Sequence, residues 1–294
     1  MGTIFSTDLK GLKPFSRGKV RDNYETDGFL LMVATDRISA FDVVMPNPIP
    51  GKGRILTRLS AAWFRRIQGI VGHHLVSTDV RDFPKECLPY RDVLEGRTML
   101  VKKTKPLPVE CIIRGYLAGS GWKDYKASGA ISGVRLPSGL RESSRLPEPI
   151  FTPTTKGAEG EHDMPITRKD VEDMIGSELT ARMIDIGFKI YNFAAAAAEK
   201  NGIIIADTKM EFGIREGELL VIDELLTPDS SRFWPRDEYA EGRPQKSFDK
   251  QYLRDYLISI SWNQKPPAPD LPPEVILRTR EKYEEALSRL GGDS

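Results

Sequence analysis

Residues 206–235 read ADTKMEFGIREGELLVIDELLTPDSSRFWP, and the pairing of the two apolar runs in this stretch decides the fold. Asp207, Lys209 and Glu211 are spaced by two, so they project from one face of an extended strand. Asp223 closes the apolar run LLVI, where a sheet core gives no reason for a carboxylate. Two registers compete. A two-residue turn at Glu216-Gly217 sets Glu211 opposite Ile222; a three-residue turn over 216–218 sets it opposite Asp223, with Cβ atoms ~5 Å apart. Carboxylates opposed in this way destabilise a sheet unless a cation lies between them. The expectation is a three-residue turn, with Glu211 and Asp223 sharing a Mg²⁺ ion.

Outward from this stretch, the chain of 294 residues is long enough for one large core or for two lobes sharing a cleft. Its 43 Lys+Arg nearly balance 42 Asp+Glu, so bulk charge gives no reason to expect nucleic acid or an anionic membrane as partner. No segment approaches the ~20 apolar residues of a membrane span, and the first residues lack the apolar stretch of a secretory signal. Two cysteines, Cys87 and Cys111, make no disulfide framework, and three histidines do not cluster with them as zinc ligands would. A cytoplasmic protein is expected.

Hydrophobic periodicity supplies the remaining elements. KVRDNY and FLLMVATD flank an Asp27-Gly28 turn, a hairpin signal. Leu56, Leu59, Trp63, Ile67 and Ile70 recur at helical spacing. TMLVKKTK and PVECIIRG read as strands joined by a stiff Pro106–Pro108 connector, and GSGWKDYKASG as a short helix. The chain from Gly133 to Asp163 reads as loop. Ser177 caps a long helix that ends at Asn201-Gly202, and two further helices are expected near 247–261 and 273–290. The class is α+β with mainly antiparallel hairpins.

Three other segments carry charge in patterns suited to chemistry. SRGKVRD (16–22) places Arg17, Lys19 and Arg21 around Gly18, where backbone can approach a polyanion. PVECIIRGYLAGSG sets Glu110 and Arg114 in an apolar strand, and a guanidinium there suits a phosphate or carboxylate. TPTTKGAEGEHD (152–163) holds Lys156, Glu159, Glu161, His162 and Asp163 in a polar loop.

Taken together, SRGKVRDNYE, ATDRISAFDVVM, GKGRILTRLSAAWF, PVECIIRGYLAGSGW, FTPTTKGAEGEHD, ADTKMEFG, IDELLTPDSSRFWP and QKSFDKQYLRDYL resemble, in order, the SAICAR synthetase family in its longer, fungal-like form. The resemblance implies a two-lobed fold: a β-rich ATP-binding lobe over 1–105, and a mixed α/β lobe over 106–294 that carries the metal and ribotide sites. It implies ATP-dependent ligation of carboxyaminoimidazole ribotide (CAIR) and L-aspartate to SAICAR through an acyl phosphate, in de novo purine biosynthesis. By the same matching, Glu211 and Asp223 hold Mg²⁺, and Lys209, Glu211, Asp223 and Arg232 form the catalytic set. Arg17, Gly18, Lys19, Val20, Lys102, Glu110 and Lys209 fall to ATP. Arg114, Ser120 and Arg232 grip the ribotide phosphate, while Lys156 and Asp163 close over ribotide and aspartate. Asp36, Ser39 and Asp42 are further substrate contacts. Asp207, Glu224 and Asp229 receive no role, and no dedicated general base is visible. A monomer is favoured over a homo-oligomer.

Overall fold

The computed structural model describes residues 2–157 and 163–291. Its first sheet is built from β1 (Lys13–Arg17), β2 (Arg21–Thr26) and β3 (Phe29–Ala34). After the short pair β4 (Ser39–Ala40) and β5 (Val43–Val44) comes helix α1 (Lys52–Arg66), then β6 (Leu75–Ser77), the one-turn α2 (Arg91–Leu94) and β7 (Thr98–Lys102). The sheet is antiparallel and five-stranded, in the order β1-β2-β3-β7-β6. Gly28 supplies the positive φ of +75° that the β2–β3 turn requires.

The second sheet is organised on two long strands, β8 (Lys105–Tyr116) and β13 (Ile203–Arg215). Between them in sequence lie α3 (Gly119–Ser128), β9 (Ala130–Ile131), β10 (Val134–Arg135), β11 (Arg145–Phe151), β12 (Thr154–Thr155), α4 (Arg168–Ile175) and α5 (Ser177–Lys200). β14 (Glu218–Ile222) and β15 (Ser231–Pro235) follow, then α6 (Gln251–Ser259) and α7 (Pro273–Leu290). The order is β11-β8-β13-β14, with β12 added to β8 and β15 to β13, all antiparallel.

Four expectations are corrected here. The β13–β14 hairpin turns in two residues, with Arg215 paired to Glu218 and Glu211 paired to Ile222, not Asp223. Glu216 and Gly217 both take positive φ, +53° and +80°, the geometry whose twist matches that of the flanking strands. Pro106 and Pro108 lie inside β8 and not in a connector; β12 and β11 cover that side of β8 only farther along it. The 133–163 stretch contributes strands: β11 alone runs seven residues beside β8. Finally, α4 precedes the long helix, capped by reciprocal Thr167 and Asp170 hydrogen bonds, and Ser177 opens α5 without a side-chain cap.

Helix α5 lays Met183, Ile190 and Ala194 on the second sheet. Gly187 meets Cys111 so closely that an added Cβ would stand 2.8 Å from its sulfur. One apolar core runs from Trp63 and Phe64 of α1, through Phe212 and Met210 of β13, to Tyr283 and Leu290 of α7. Core and helix contacts thus join the first and second sheets, whose edges touch, among the described residues, through a single bridge, His73–Val221. Among the described residues two backbone hydrogen bonds complete that joint: His74 N donates to Val221 O, and Val221 N to Gly72 O, each at 3.1 Å. No described helix is long and apolar enough to cross a membrane.

Candidate active site

Strand β13 carries the site along one face. Its Glu211 lies directly across from Glu110 of β8, a like-charge pair that β-sheets avoid. Two lysines neutralise it: Lys209 Nζ donates to Glu110 Oε1 at 2.5 Å, and Lys156 Nζ to Glu211 Oε2 at 2.5 Å. Thr154 Oγ1 donates to the second Glu110 oxygen at 2.7 Å. Burial works against the Lys209 amine, yet Glu110 and Glu211 hold its pKa above the ordinary lysine range.

Asp223 reaches this group by an unexpected route. Strand β14 ends at Ile222, and Asp223 takes a left-handed φ of +66°. Its carboxylate accepts a hydrogen bond from Arg21 Nη1, and Arg21 Nη2 pairs with Glu224 Oε1 at 2.6 Å. Burial raises the Asp223 carboxyl, but the charge and hydrogen bond of Arg21, with the charges of Lys209 and Lys156, together outweigh it and hold the group at about 2. The Glu211 carboxyl is pushed up, first by burial and next by the charge of Asp223. The two acids therefore share one electrostatic site although they are not paired in the hairpin. Among the described residues no three His, Cys, Asp or Glu side chains cluster to hold a metal. The donor set on offer is a pair of hard carboxylates, currently matched by Lys156 and Arg21. That set suits Mg²⁺, which takes one or two protein carboxylates and completes its shell with water and phosphate oxygens.

Four residues back from Glu211 along β13, buried Asp207 binds two arginines. Arg114 Nη1 and Arg232 Nη1 both donate to its Oδ2, the latter at 2.5 Å. Arg114 is further fixed by Thr152 Oγ1 at 2.9 Å and points Nη2 toward Ser120 Oγ at 3.3 Å. Ser120 and Arg232 line a cavity of about 410 Å³, together with Lys123, Trp234 and Arg254. Gly119, at φ +57°, leaves room for the guanidinium: a Cβ would stand 2.2 Å from Arg232 Nη2, which would have to move. Two guanidiniums on one carboxylate leave a net positive charge, which a phosphate dianion would neutralise.

The β1–β2 turn is held from beneath. Arg37 donates to Gly18 O at 2.9 Å and to Lys19 O at 3.0 Å, and Gly18 N donates to Arg21 O at 2.9 Å. Val20 O accepts from Thr35 N and Oγ1. Lys19 and Asp42, expected in different subsites, are paired with each other. Arg17 reaches back to Thr7 O at 2.8 Å and Asp22 Oδ1 at 3.2 Å.

Other expected residues have hydrogen-bond partners or burial of their own. Asp36 is fully buried, accepting from Ile4 N, Gly53 N and Arg97 Nη1, so its carboxylate serves the fold. Ser39 is buried in β4, and Lys102 closes β7 with its N–H on His74 O. Asp163 Oδ1 accepts from Gly157 N at 3.0 Å, while Glu159, Glu161 and His162 lie outside the described residues. Sequence pattern gives Lys123 and Arg254 no role, and it places Arg21 only in the basic run around Gly18. Alternation puts Asp207 on the face of Lys209 and Glu211 but does not reveal its arginine partners, which lie 93 and 25 residues away.

Basic and acidic groups so arranged belong to enzymes that move phosphoryl groups in the presence of a phosphorylated small molecule. Comparison with known proteins narrows the class. The model of the SAICAR synthetase family matches residues 14–269. Phosphoribosylaminoimidazole-succinocarboxamide synthase of Desulfosudis oleivorans is 58% identical over 98% of this chain and 99% of its own. The enzyme of the same name from Geotalea uraniireducens is 57% identical over 98% of each chain. Among solved structures, SAICAR-synthase from Saccharomyces cerevisiae, complexed with SAICAR, superposes with a TM-score of 0.89 at 43% identity, covering 99% of each chain. A SAICAR synthetase in complex with ADP shares the fold at a TM-score of 0.69 and 24% identity. This chain belongs to the SAICAR synthetase family of ATP-dependent ligases, which join CAIR and L-aspartate in purine biosynthesis.

Proposed function

We propose that the ligation runs through an acyl phosphate, with nucleotide and ribotide bound at the two charge clusters along β13. The observation that carries this reading is the spacing of the two charge clusters. Asp207 and Glu211 are four residues apart on one strand face, a span of ~13 Å, with Lys209 between them. A ribotide lying along the strand would put its phosphate on Arg114, Ser120 and Arg232, and its imidazole carboxylate near Lys209 and the Glu211–Asp223 pair.

In the first step a carboxylate oxygen of CAIR attacks the γ-phosphorus of ATP, and the bond to the ADP oxygen breaks. In the second, the aspartate amine attacks the acyl carbon, the C–O bond to phosphate breaks, and the amine gives up a proton. Lys209 and Lys19 would hold the transferring phosphates, with the Gly18 turn, Arg17, Val20, Lys102 and Glu110 around the nucleotide. A Mg²⁺ ion held by Glu211 and Asp223 would offset the negative charge of the phosphate oxygens. Lys156 and Asp163 would face the ribotide and aspartate, with Ser39 and Asp42 as outer contacts. Holding an amine against an acyl phosphate supplies several powers of ten by proximity.

We read the chain as a cytoplasmic monomer, with residues 1–105 as the nucleotide lobe and 106–294 carrying the metal and ribotide grips. Sedimentation at micromolar concentration tests the monomer. The acyl phosphate is tested with CAIR labelled by ¹⁸O in its carboxylate: one ¹⁸O is expected in the released phosphate, and unlabelled phosphate would overturn the reading. A kinase on the same fold would release ADP from CAIR and ATP at full rate without aspartate; the ligase requires it.

A further inference from the structure

Asp229 lies between the two ends of the site in sequence, in the segment that runs from Asp223 to Arg232. Its side chain is 2% exposed, and three groups converge on it, two from helices and one from the residue before a third. Lys52 Nζ, at the start of α1, donates to Oδ2 at 2.7 Å. Lys250 Nζ, just before α6, stands 3.1 Å from the same oxygen. Tyr283 Oη, in the middle of α7, donates to Oδ1 at 2.6 Å. Lys52 and Tyr283 are fully buried.

Burying three charges is expensive, and apolar side chains of similar volume would commonly be as stable. What such a cluster adds is position. The turn that bears Asp229 is tied on itself: Thr227 Oγ1 accepts from Asp229 N at 3.2 Å, and Ser230 N donates to Thr227 O at 3.1 Å. That turn then abuts the site strand. Lys209 N donates to Ser230 O at 2.8 Å, and the Thr208 and Ser231 hydroxyls meet at 2.8 Å. Arg232 follows immediately, and on the other side Thr227 Oγ1 donates to Glu224, a partner of Arg21. Neither Lys52 nor Tyr283 lines the ribotide cavity.

We infer that Tyr283 and Lys52 are positioning residues for the ligation: through Asp229 they fix the 223–232 segment, and with it the guanidinium of Arg232. The C-terminal helix α7 thereby takes part in substrate recognition without touching substrate. The inference rests on the assignment of Arg232 to the ribotide phosphate made above.

Tyr283→Phe removes one hydroxyl and keeps the ring. The expected result is a rise in the KM for CAIR on the order of tenfold, with the KM for ATP changed by less than about twofold, because small displacements of a binding group are costly. Thr279→Val is the comparison variant: Thr279 is buried in the same helix, and its hydroxyl donates to Val275 O rather than to Asp229. It is expected to lower the melting temperature and leave the KM for CAIR unchanged. A KM for CAIR that is unchanged in Tyr283→Phe, or that rises equally in both variants, overturns the inference. Should Tyr283→Phe fail to fold, Lys52→Met, which leaves Lys250 as counter-ion, is read by the same criteria. Arg232→Ala separates the two levels. If it leaves the KM for CAIR unaltered, the site assignment fails; if it raises that KM while Tyr283→Phe does not, only the positioning role fails.

Discussion

Glu211 and Asp223 influence each other's ionisation although Ile222, not Asp223, is the residue opposite Glu211 in the hairpin. The left-handed φ of Asp223 supplies what the register does not, a carboxylate turned out of the strand repeat onto Arg21. If the pair holds Mg²⁺, Asp223→Asn and Glu211→Gln should each lower single-turnover rates by roughly 10²–10³-fold. Nucleotide binding should weaken in the presence of Mg²⁺ and change little without it. Unchanged turnover in either variant rules out the metal assignment.

The raised Glu211 carboxyl has its own signature. A proton and a cation compete for this group, and burial brings the proton on at a pH above the ordinary value of 4.5. Mn²⁺ affinity, followed by its EPR signal, should fall as the pH drops toward that range, and Glu211→Gln should remove this dependence. An affinity that stays flat down to the ordinary carboxylate range contradicts the reading.

His74 governs part of the acid stability. It is buried, its Nε2 lies 3.1 Å from Asp223 O, so the ring nitrogen must be the donor, and burial lowers its pKa from 6.5 to about 3. Between those values the unfolded chain binds a proton that the folded chain refuses. The stability owed to the neutral ring is complete above 6.5 and is lost as the pH falls, by about 1.4 kcal/mol per pH unit. Urea unfolding of His74→Gln at successively lower pH should show a shallower decline than the parent; parallel slopes would falsify this account.

Gly119→Ala tests the arginine grip from the backbone side. The substitution places a methyl group 2.2 Å from Arg232 Nη2 and forces alanine to φ +57°. A higher KM for CAIR is expected, with a stability loss of about 1–2 kcal/mol from the left-handed backbone. Unaltered CAIR kinetics would show that Arg232 can move without consequence.

The two-residue turn makes a simpler claim. Gly217 sits at φ +80° with open space around its Cα, so Gly217→Ala meets no clash and pays only for backbone conformation. About 1 kcal/mol of destabilisation is expected in urea unfolding; a three-residue turn would have relieved it.

Periodicity made the long elements legible, because α5, α7 and the β2–β3 hairpin are each specified by a repeat that packing does not contradict. The register of β13–β14 was not legible. The decisive fact is a positive φ at Glu216, a residue type that carries no advertisement of it, and a second positive φ at Asp223 restores the proximity that the shorter turn removes. Charged residues divided in a similar way. Lys209 and Glu110, singled out on separate strands, meet in one ion pair, but Asp36, in an equally charged run, is consumed by three donors of the fold. Asp207 and Asp229 gain their meaning from partners distant in sequence, which spacing cannot reveal.

The bridge between His73 and Val221 has a mechanical implication. One rung of ladder fixes where two sheet edges meet and leaves their dihedral angle free, as a single pin does for two plates. Resistance to swinging then comes from the shared apolar core and from side chains spanning the gap, among them Arg21, from the first sheet, which spans it onto Asp223 and Glu224. Such a brace is ionic, and Asp223 is one of the two acids proposed above to hold Mg²⁺. A cation bound there would compete with Arg21 for that acid, so the hold between the two sheets would change with what is bound.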